Sequence, residues 1–221
     1  MNYLIHKLLN SEELEILRKN LDKEDSFWED GKKTAGKHAA KVKNNLQLKR
    51  DTNLSKKLSQ LIIKKILSND LIKSFTLPKK IHGTMFSKST SGMKYGSHID
   101  NAYMSSGRAD LSFTIFLNCK DNYDGGALII ESFNSEEKFK LDAGEIIIYP
   151  STFLHSVEEV IAGERLVFIG WIESYVKSIE EREYLFDLDA AARSLLSKYG
   201  RSDEVDLIFK SYSNFLRRLG S

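Results

Sequence analysis

Five histidines, His6, His38, His82, His98 and His155, are the side chains of this chain best suited to hold a transition metal. One of them opens a His-x-acid triplet, His98-Ile99-Asp100. With 31 acids among 221 residues, roughly 0.7 such triplets arise by chance from five histidines, so position has to discriminate. In extended chain, residues i and i+2 point to the same side, so His98 and Asp100 can face one metal together. His155 follows the apolar run at 145–150 and precedes the next β-rich run, and in a jelly roll those segments can meet at one mouth of the barrel. Two imidazoles and one carboxylate on one face leave octahedral positions open for exchangeable ligands, the arrangement of non-haem Fe(II) oxygen chemistry. Arg165 stands at the start of the run after His155, and its planar guanidinium suits bidentate capture of a carboxylate. Taken singly, His155 reads first as a loop histidine capped by its neighbours. By position alone, Arg165 reads first as a surface residue at a strand start.

The elements that must position these residues change period along the chain. Asn10 followed by Glu13 is a capping-box pattern, with Leu14, Leu17 and Leu21 at helical spacing behind it. A second helix is predicted over 53–68, with Leu54, Leu58, Leu61, Ile62 and Ile66 as its apolar stripe. From Leu77 the pattern turns strand-like. In 111–117, Leu111, Phe113, Ile115 and Leu117 alternate with Ser112, Thr114 and Phe116, a period of two. Further strands are predicted at 127–131, 138–141, 145–149 and 165–172. Between them lie the turn-forming Tyr123-Asp124-Gly125-Gly126, Ala143-Gly144 and Ala162-Gly163. Ser178 opens a helix ending at Gly200, and Ser202 caps a last one carrying Val205, Ile208, Phe209, Tyr212, Phe215 and Leu216 on its apolar side. The fold class is therefore mainly β with flanking helices: a double-stranded β-helix (jelly-roll) core, helices before it and a helical extension after it. The expected division is 1–76 as a helical and strand support region, 77–174 as the jelly-roll core and 175–221 as the C-terminal helical extension.

Composition narrows the setting. Cys119 is the only cysteine, which excludes an intramolecular disulfide scaffold and a Cys-rich zinc or iron–sulfur site made by this chain alone. It points to a reducing compartment, and the cytoplasm is expected. No apolar run reaches a membrane span, and 1–10 is too short and mixed for a signal peptide. Thirty-three basic against 31 acidic residues give a net charge of +2, so nucleic acid is not expected as a partner. The stretch 31–50 nevertheless carries seven Lys or Arg and no acid. It reads either as a solvated edge or as a surface that recruits an anionic partner.

Several short motifs occur together and in order. They are Val42-Lys43-Asn44-Asn45, Tyr95-Gly96-Ser97-His98-Ile99-Asp100-Asn101-Ala102 and Arg108-Ala109-Asp110-Leu111-Ser112. They continue through Tyr123-Asp124-Gly125-Gly126, Leu141-Asp142-Ala143-Gly144-Glu145, Tyr149-Pro150-Ser151, His155 and Phe186-Asp187-Leu188-Asp189. On these residues the chain resembles, over essentially its whole length, the bacterial PKHD-type hydroxylases. These are Fe(II)/2-oxoglutarate-dependent dioxygenases similar to prolyl and lysyl hydroxylases.

The resemblance implies His98, Asp100 and His155 as iron ligands and Arg165 as the partner of the distal 2-oxoglutarate carboxylate. Tyr95 is a family tyrosine ahead of the first histidine, where it borders the co-substrate or fills the barrel, and Thr114 is a weaker pocket-lining candidate. Lys43, Asn44 and Asn45 shape the cavity mouth without an assigned role. The polar segment 87–94 departs from the family pattern and is read as a substrate-facing loop. The implied cofactors are Fe(II), 2-oxoglutarate and O₂, with ascorbate as reductant. The implied reaction hydroxylates a C–H bond and releases succinate and CO₂. The partner is then a small-molecule or peptidyl substrate: a peptidyl proline, a free amino acid or a siderophore-like metabolite. A homo-oligomer stays open, and the alternative function is a non-catalytic metal-containing β-barrel that senses 2-oxoglutarate or iron.

Overall fold

A computed structural model of the chain describes residues 3–21, 27–34, 39–131 and 135–221. Two antiparallel sheets lie face to face in a jelly-roll arrangement. The larger runs in the order β1 (Leu4–Lys7), β13 (Glu145–Pro150), β9 (Leu111–Phe116), β15 (Val160–Ser174), β5 (Pro78–Thr90), β4 (Leu46–Leu48), β2 (Trp28–Asp30). The short β10 (Tyr123–Gly125) pairs with the beginning of β15. The smaller sheet runs β12 (Glu136–Phe139), β11 (Leu128–Glu131), β14 (Leu154–Val157), β6 (Lys94–His98), β3 (Lys43–Asn44). A separate two-stranded hairpin joins β7 (Tyr103–Met104) to β8 (Gly107–Arg108).

The alternation in β9 has a direct structural meaning, because every residue of this central strand is buried. Leu111, Phe113 and Ile115 point to one side, where they join Leu17 of α1 (Ser11–Leu21), Ile62 of α2 (Asn53–Ser68) and Ile72 of α3 (Asp70–Thr76) in one apolar cluster. Phe116 points to the other side, into a second cluster with Ile147, Val167, Leu128 and Phe139 between the two sheets. Helices therefore cover the outer face of the larger sheet, and the smaller sheet covers its inner face.

The helix starts follow the local chemistry. Asn10 and Glu13 form a reciprocal capping box: Asn10 Oδ1 accepts from the Glu13 amide at 2.9 Å, and Glu13 Oε2 accepts from the Asn10 amide at 2.9 Å. Thr52 caps α2 through a 3.1 Å bond from the Ser55 amide. Leu58, Ile62 and Ile66 of α2 are fully buried, and at about 1.5–3 kcal/mol each they outweigh the roughly 1 kcal/mol of a cap. Leu61 departs from the predicted stripe and stays 39% exposed. At the other end, Ser178 caps α4 (Ile179–Tyr199) and Ser202 caps α5 (Asp203–Leu219). Tyr212 and Leu216 of α5 pack on Leu77, Val176 and Leu185, while Phe215, predicted on the same apolar side, is half exposed. Among the described residues no helix is long and apolar enough to cross a membrane.

Several elements differ from the sequence reading. The helix α3 and the strands β1 to β8, β10 and β14 are additional, so Tyr123–Gly125, read as part of a turn, is a short strand. The segment 87–94 is not a loop: Ser87–Thr90 ends β5, a turn follows, and Lys94 begins β6. The strand around Arg165 begins at Val160 and runs through Gly163, so Arg165 lies inside β15 and not at its start. Gly163 makes this continuity possible: its φ is +78°, and a Cβ there would stand 2.3 Å from the Asn122 carbonyl oxygen. His155 is likewise a strand residue, within β14.

Candidate active site

Pairing of β14 with β6 makes His155 and His98 register partners, with ring centroids 4.3 Å apart. The register shifts between this pair and the next, Val157 with Tyr95, leaving one extra residue on β6. Such a bulge re-aims a side chain. Here the Gly96 carbonyl lies within the bulge and accepts from His98 Nδ1 at 2.9 Å. His155 Nδ1 donates to the Phe153 carbonyl at 3.1 Å. A carbonyl can only accept, so both imidazoles carry their proton on Nδ1 and present a free Nε2 lone pair.

Asp100 does not share a strand with His98. That strand ends at His98, and Asp100 belongs to the loop beyond it, so extended-chain alternation is not what aligns the two. Alignment comes from the opposite sheet. Ser112 Oγ on β9 donates to Asp100 Oδ2 at 2.6 Å and is itself bonded to Ser151 Oγ at 2.7 Å. Asp100 Oδ2 then stands 3.7 Å from His155 Nε2, and one ligand atom from each of His98, Asp100 and His155 lies within 4.8 Å of the others.

Aromatic rings brace this cluster. Tyr95 stacks on His98 at 3.7 Å and 17°, and the Tyr149 ring meets His155 edge-on at 5.4 Å. Burial, with the neighbouring His155 adding to it, lowers the His98 pKa to about 4, so its ring is neutral at physiological pH. Burial raises the pKa of both tyrosines, and both stay protonated.

Arg165 is 3% exposed on β15, with its guanidinium 5.5 Å from the Phe116 ring centre. Among the described residues no carboxylate acts on it, and its Nε is buried without a hydrogen-bond partner. Burial works against its charge, while Tyr123 and Tyr149 partly oppose that effect. An unpaired buried guanidinium is costly and calls for an anion. Gly126, at φ +64°, lets the backbone pass close to it: a Cβ there would stand 3.2 Å from Arg165 Cδ.

One cavity of about 870 Å³ is lined by His98, Asp100, His155, Arg165, Tyr95 and Thr114 together. The structure thus brings all six residues singled out from the sequence to one place. The other histidines lie elsewhere: His6 on β1 bonds Asn69, His82 on β5 bonds Ser106 and the Arg108 carbonyl, and His38 lies outside the described residues. Sequence reasoning missed Ser112, Ser151 and Tyr149. The available signal was a serine at the polar phase of an otherwise apolar strand, together with the Tyr149-Pro150-Ser151 motif.

The donor set fits a divalent iron: two neutral imidazoles, one carboxylate and open directions toward a cavity. Residues 84–173 match the family model of the 2OG-Fe(II) oxygenase superfamily. A PKHD-type hydroxylase of Prochlorococcus marinus strain MIT 9215 is 75% identical over 220 residues, covering 100% of both chains. The chain belongs to the PKHD-type hydroxylases. A second relative, from strain MIT 9301, is 72% identical over 221 residues, again across 100% of both chains. The family's chemistry makes the protein an Fe(II)- and 2-oxoglutarate-dependent dioxygenase. Among solved structures, a Pseudomonas putida prolyl-4-hydroxylase aligns with a TM-score of 0.58 at 16% identity, over 78% of this chain and 92% of that one. A Trichoplax adhaerens prolyl hydroxylase, solved with a hypoxia inducible factor peptide fragment, aligns at 0.58 and 17% identity over 83% and 86%. At these identities the PKHD-type chain shares their fold.

Proposed function

We propose that His98, Asp100 and His155 hold Fe(II), that Arg165 holds the distal carboxylate of 2-oxoglutarate, and that this PKHD-type hydroxylase inserts oxygen into a C–H bond of a small-molecule or peptidyl substrate. The observation that carries this reading is the unpaired, buried Arg165 in the cavity that also contains the His–Asp–His cluster. When bound, the iron supplies oxygen activation coupled to conversion of 2-oxoglutarate to succinate and CO₂.

This chain's own residues do the positioning. The Gly96 and Phe153 carbonyls keep both histidines in the ligating tautomer, and Ser112 aims Asp100. Arg165 orients the co-substrate from the cavity wall, Thr114 lines the same wall, and Tyr95 walls off one side of His98. The chemistry resides in the core at 77–174, supported by 1–76 and 175–221, because all six of these residues fall between 95 and 165. Ascorbate serves as the reductant that maintains Fe(II), as the family resemblance suggests, and the lone Cys119 supports a reducing, cytoplasmic setting. A peptidyl substrate is supported by the peptide held by the Trichoplax adhaerens enzyme.

Anaerobic titration with Fe(II) and 2-oxoglutarate tests the reading. A visible absorption band that requires both components, is lost in His98→Ala and is weakened in Arg165→Ala is expected, followed by succinate on admission of oxygen. Folded protein that shows no band with both present would overturn it.

A further inference from the structure

The cavity holds a second inward-turned cation. Lys43 on β3 belongs to the basic stretch at 31–50, yet it is only 5% exposed. Its ammonium donates to Thr34 Oγ1 at 3.3 Å and lies 5.0 Å over the Tyr95 ring, the ring that stacks on His98. Lys33, which lines the same cavity, is already neutralised by Glu29 at 2.8 Å. Among the described residues no carboxylate makes an ion pair with Lys43; Asp100 and Asp30 act on it only from a distance. Arg50, whose Nη2 lies 3.3 Å from Met85 Sδ, adds a further positive charge to the lining.

Charge balance gives this lysine a role distinct from that of Arg165. Fe(II) beside the Asp100 carboxylate leaves one positive charge, and Arg165 adds a second. The two carboxylates of 2-oxoglutarate neutralise both. Lys43 remains unmatched in a site sheltered from water, where an uncompensated charge is costly. Burial lowers its pKa to about 8, which still leaves it charged at neutral pH. Apolar side chains, Val42, Ile99 and Leu154, stand exposed around the same opening and suit the carbon skeleton of a bound molecule.

We infer that Lys43 is a substrate-binding residue, and that the molecule hydroxylated by this enzyme presents a carboxylate to it, beside the metal cluster and apart from the co-substrate site at Arg165. This rests on the oxygenase reading above. The carboxylate comes either from a free amino-acid-like molecule or from an acidic side chain of a peptide.

The test uses ¹³C-acetate as the probe and Mn(II) in place of Fe(II), with saturating 2-oxoglutarate, so that the paramagnetic ion reports carboxylates bound near it. Acetate relaxation is expected to be enhanced in the wild type, to fall at least about fivefold in Lys43→Met, and to recover in Lys43→Arg. ¹³C-acetamide should show no enhancement. Equal enhancement of acetate and acetamide, persistence in Lys43→Met, or no enhancement at all would each overturn the inference. A Lys43→Met variant that loses 2-oxoglutarate affinity as Arg165→Met does would also overturn it, by placing Lys43 in the co-substrate site. Failure of Mn(II) and 2-oxoglutarate to bind the folded wild type would instead sink the oxygenase reading. Succinate formation stimulated by free amino acids, or by an amidated peptide bearing aspartate, distinguishes the two carboxylate sources. Stimulation by uncharged amides alone counts against both.

Discussion

Ser112 and Asp100 join the two sheets of this hydroxylase at its chemical centre: the hydroxyl on the central strand of the larger sheet donates at 2.6 Å to a carboxylate on the loop leaving the smaller one. Asp100 otherwise stands on a loop with no strand partner of its own. Its aim therefore depends on this bond and on the Ser151 hydroxyl behind Ser112.

Removing that bond should be felt at the metal. Ser112→Ala is expected to weaken Fe(II) binding roughly 10–100-fold, the usual cost of losing a group that orients a metal ligand. The fold should be retained, since the alanine sits on a strand packed on both faces. Anaerobic Fe(II) titration reads the effect, and an unchanged affinity would remove Ser112 from the site's support.

Arg165 makes a two-sided prediction. In the ligand-free protein its buried charge is unpaired, so Arg165→Met should leave the protein equally stable or more stable, by up to about 4 kcal/mol. The same variant should lose the stabilisation that added 2-oxoglutarate gives the wild type. Thermal melts with and without the co-substrate measure both effects. A destabilised variant that still responds to 2-oxoglutarate contradicts the assignment.

Acid should destabilise the metal-free protein through His98. Its pKa is near 6.5 in the unfolded chain and about 4 when folded, because burial first and His155 second disfavour the imidazolium. Between these values the unfolded chain binds more protons, so stability rises with pH across that window. The contribution is complete above about pH 6.5 and is lost as pH falls toward 4. Melting temperatures from pH 7 to 4.5 should decline in the wild type and decline less in His98→Gln. Parallel slopes for the two proteins would show that His98 does not carry the effect.

Gly163 should tolerate no side chain. Alanine there would combine a φ of +78° with a Cβ 2.3 Å from the Asn122 carbonyl oxygen, two residues before Arg165 on β15. The left-handed backbone alone costs of order 1–3 kcal/mol, and the backbone clash adds to it. Gly163→Ala is expected to lower both the denaturation midpoint and the affinity for 2-oxoglutarate. A midpoint equal to the wild type would show that β15 shifts freely.

What could be read from the chain itself was whatever rests on neighbouring residues. The cap at Asn10 and the stripe Leu58–Ile62–Ile66 declare helices because their partners lie within one or two turns. The strand at 111–116 declared itself by period two, and the ligand candidates by residue type and motif. The end of β5 did not: Ser87 and Ser89 are polar yet buried, because they line the cavity where inward-facing residues meet ligands and not core. A hydrophobic-in rule misreads such a strand as a loop, and for the same reason it misreads Arg165 as a surface residue at a strand start.

Tertiary structure alone decided what depends on contacts between distant segments. Only the pairing of β14 with β6 sets His155 beside His98, and only the approach of the sheets brings Ser112 to Asp100. The inward turn of Lys43 is of the same kind. In sequence it is one of seven basic residues in a polar stretch; pairing of β3 with β6 lays it across Tyr95 and into the cavity. Residue type and local spacing carry the chemistry a side chain can do, whereas burial and long-range register determine which charge is left without a partner and therefore available to a ligand.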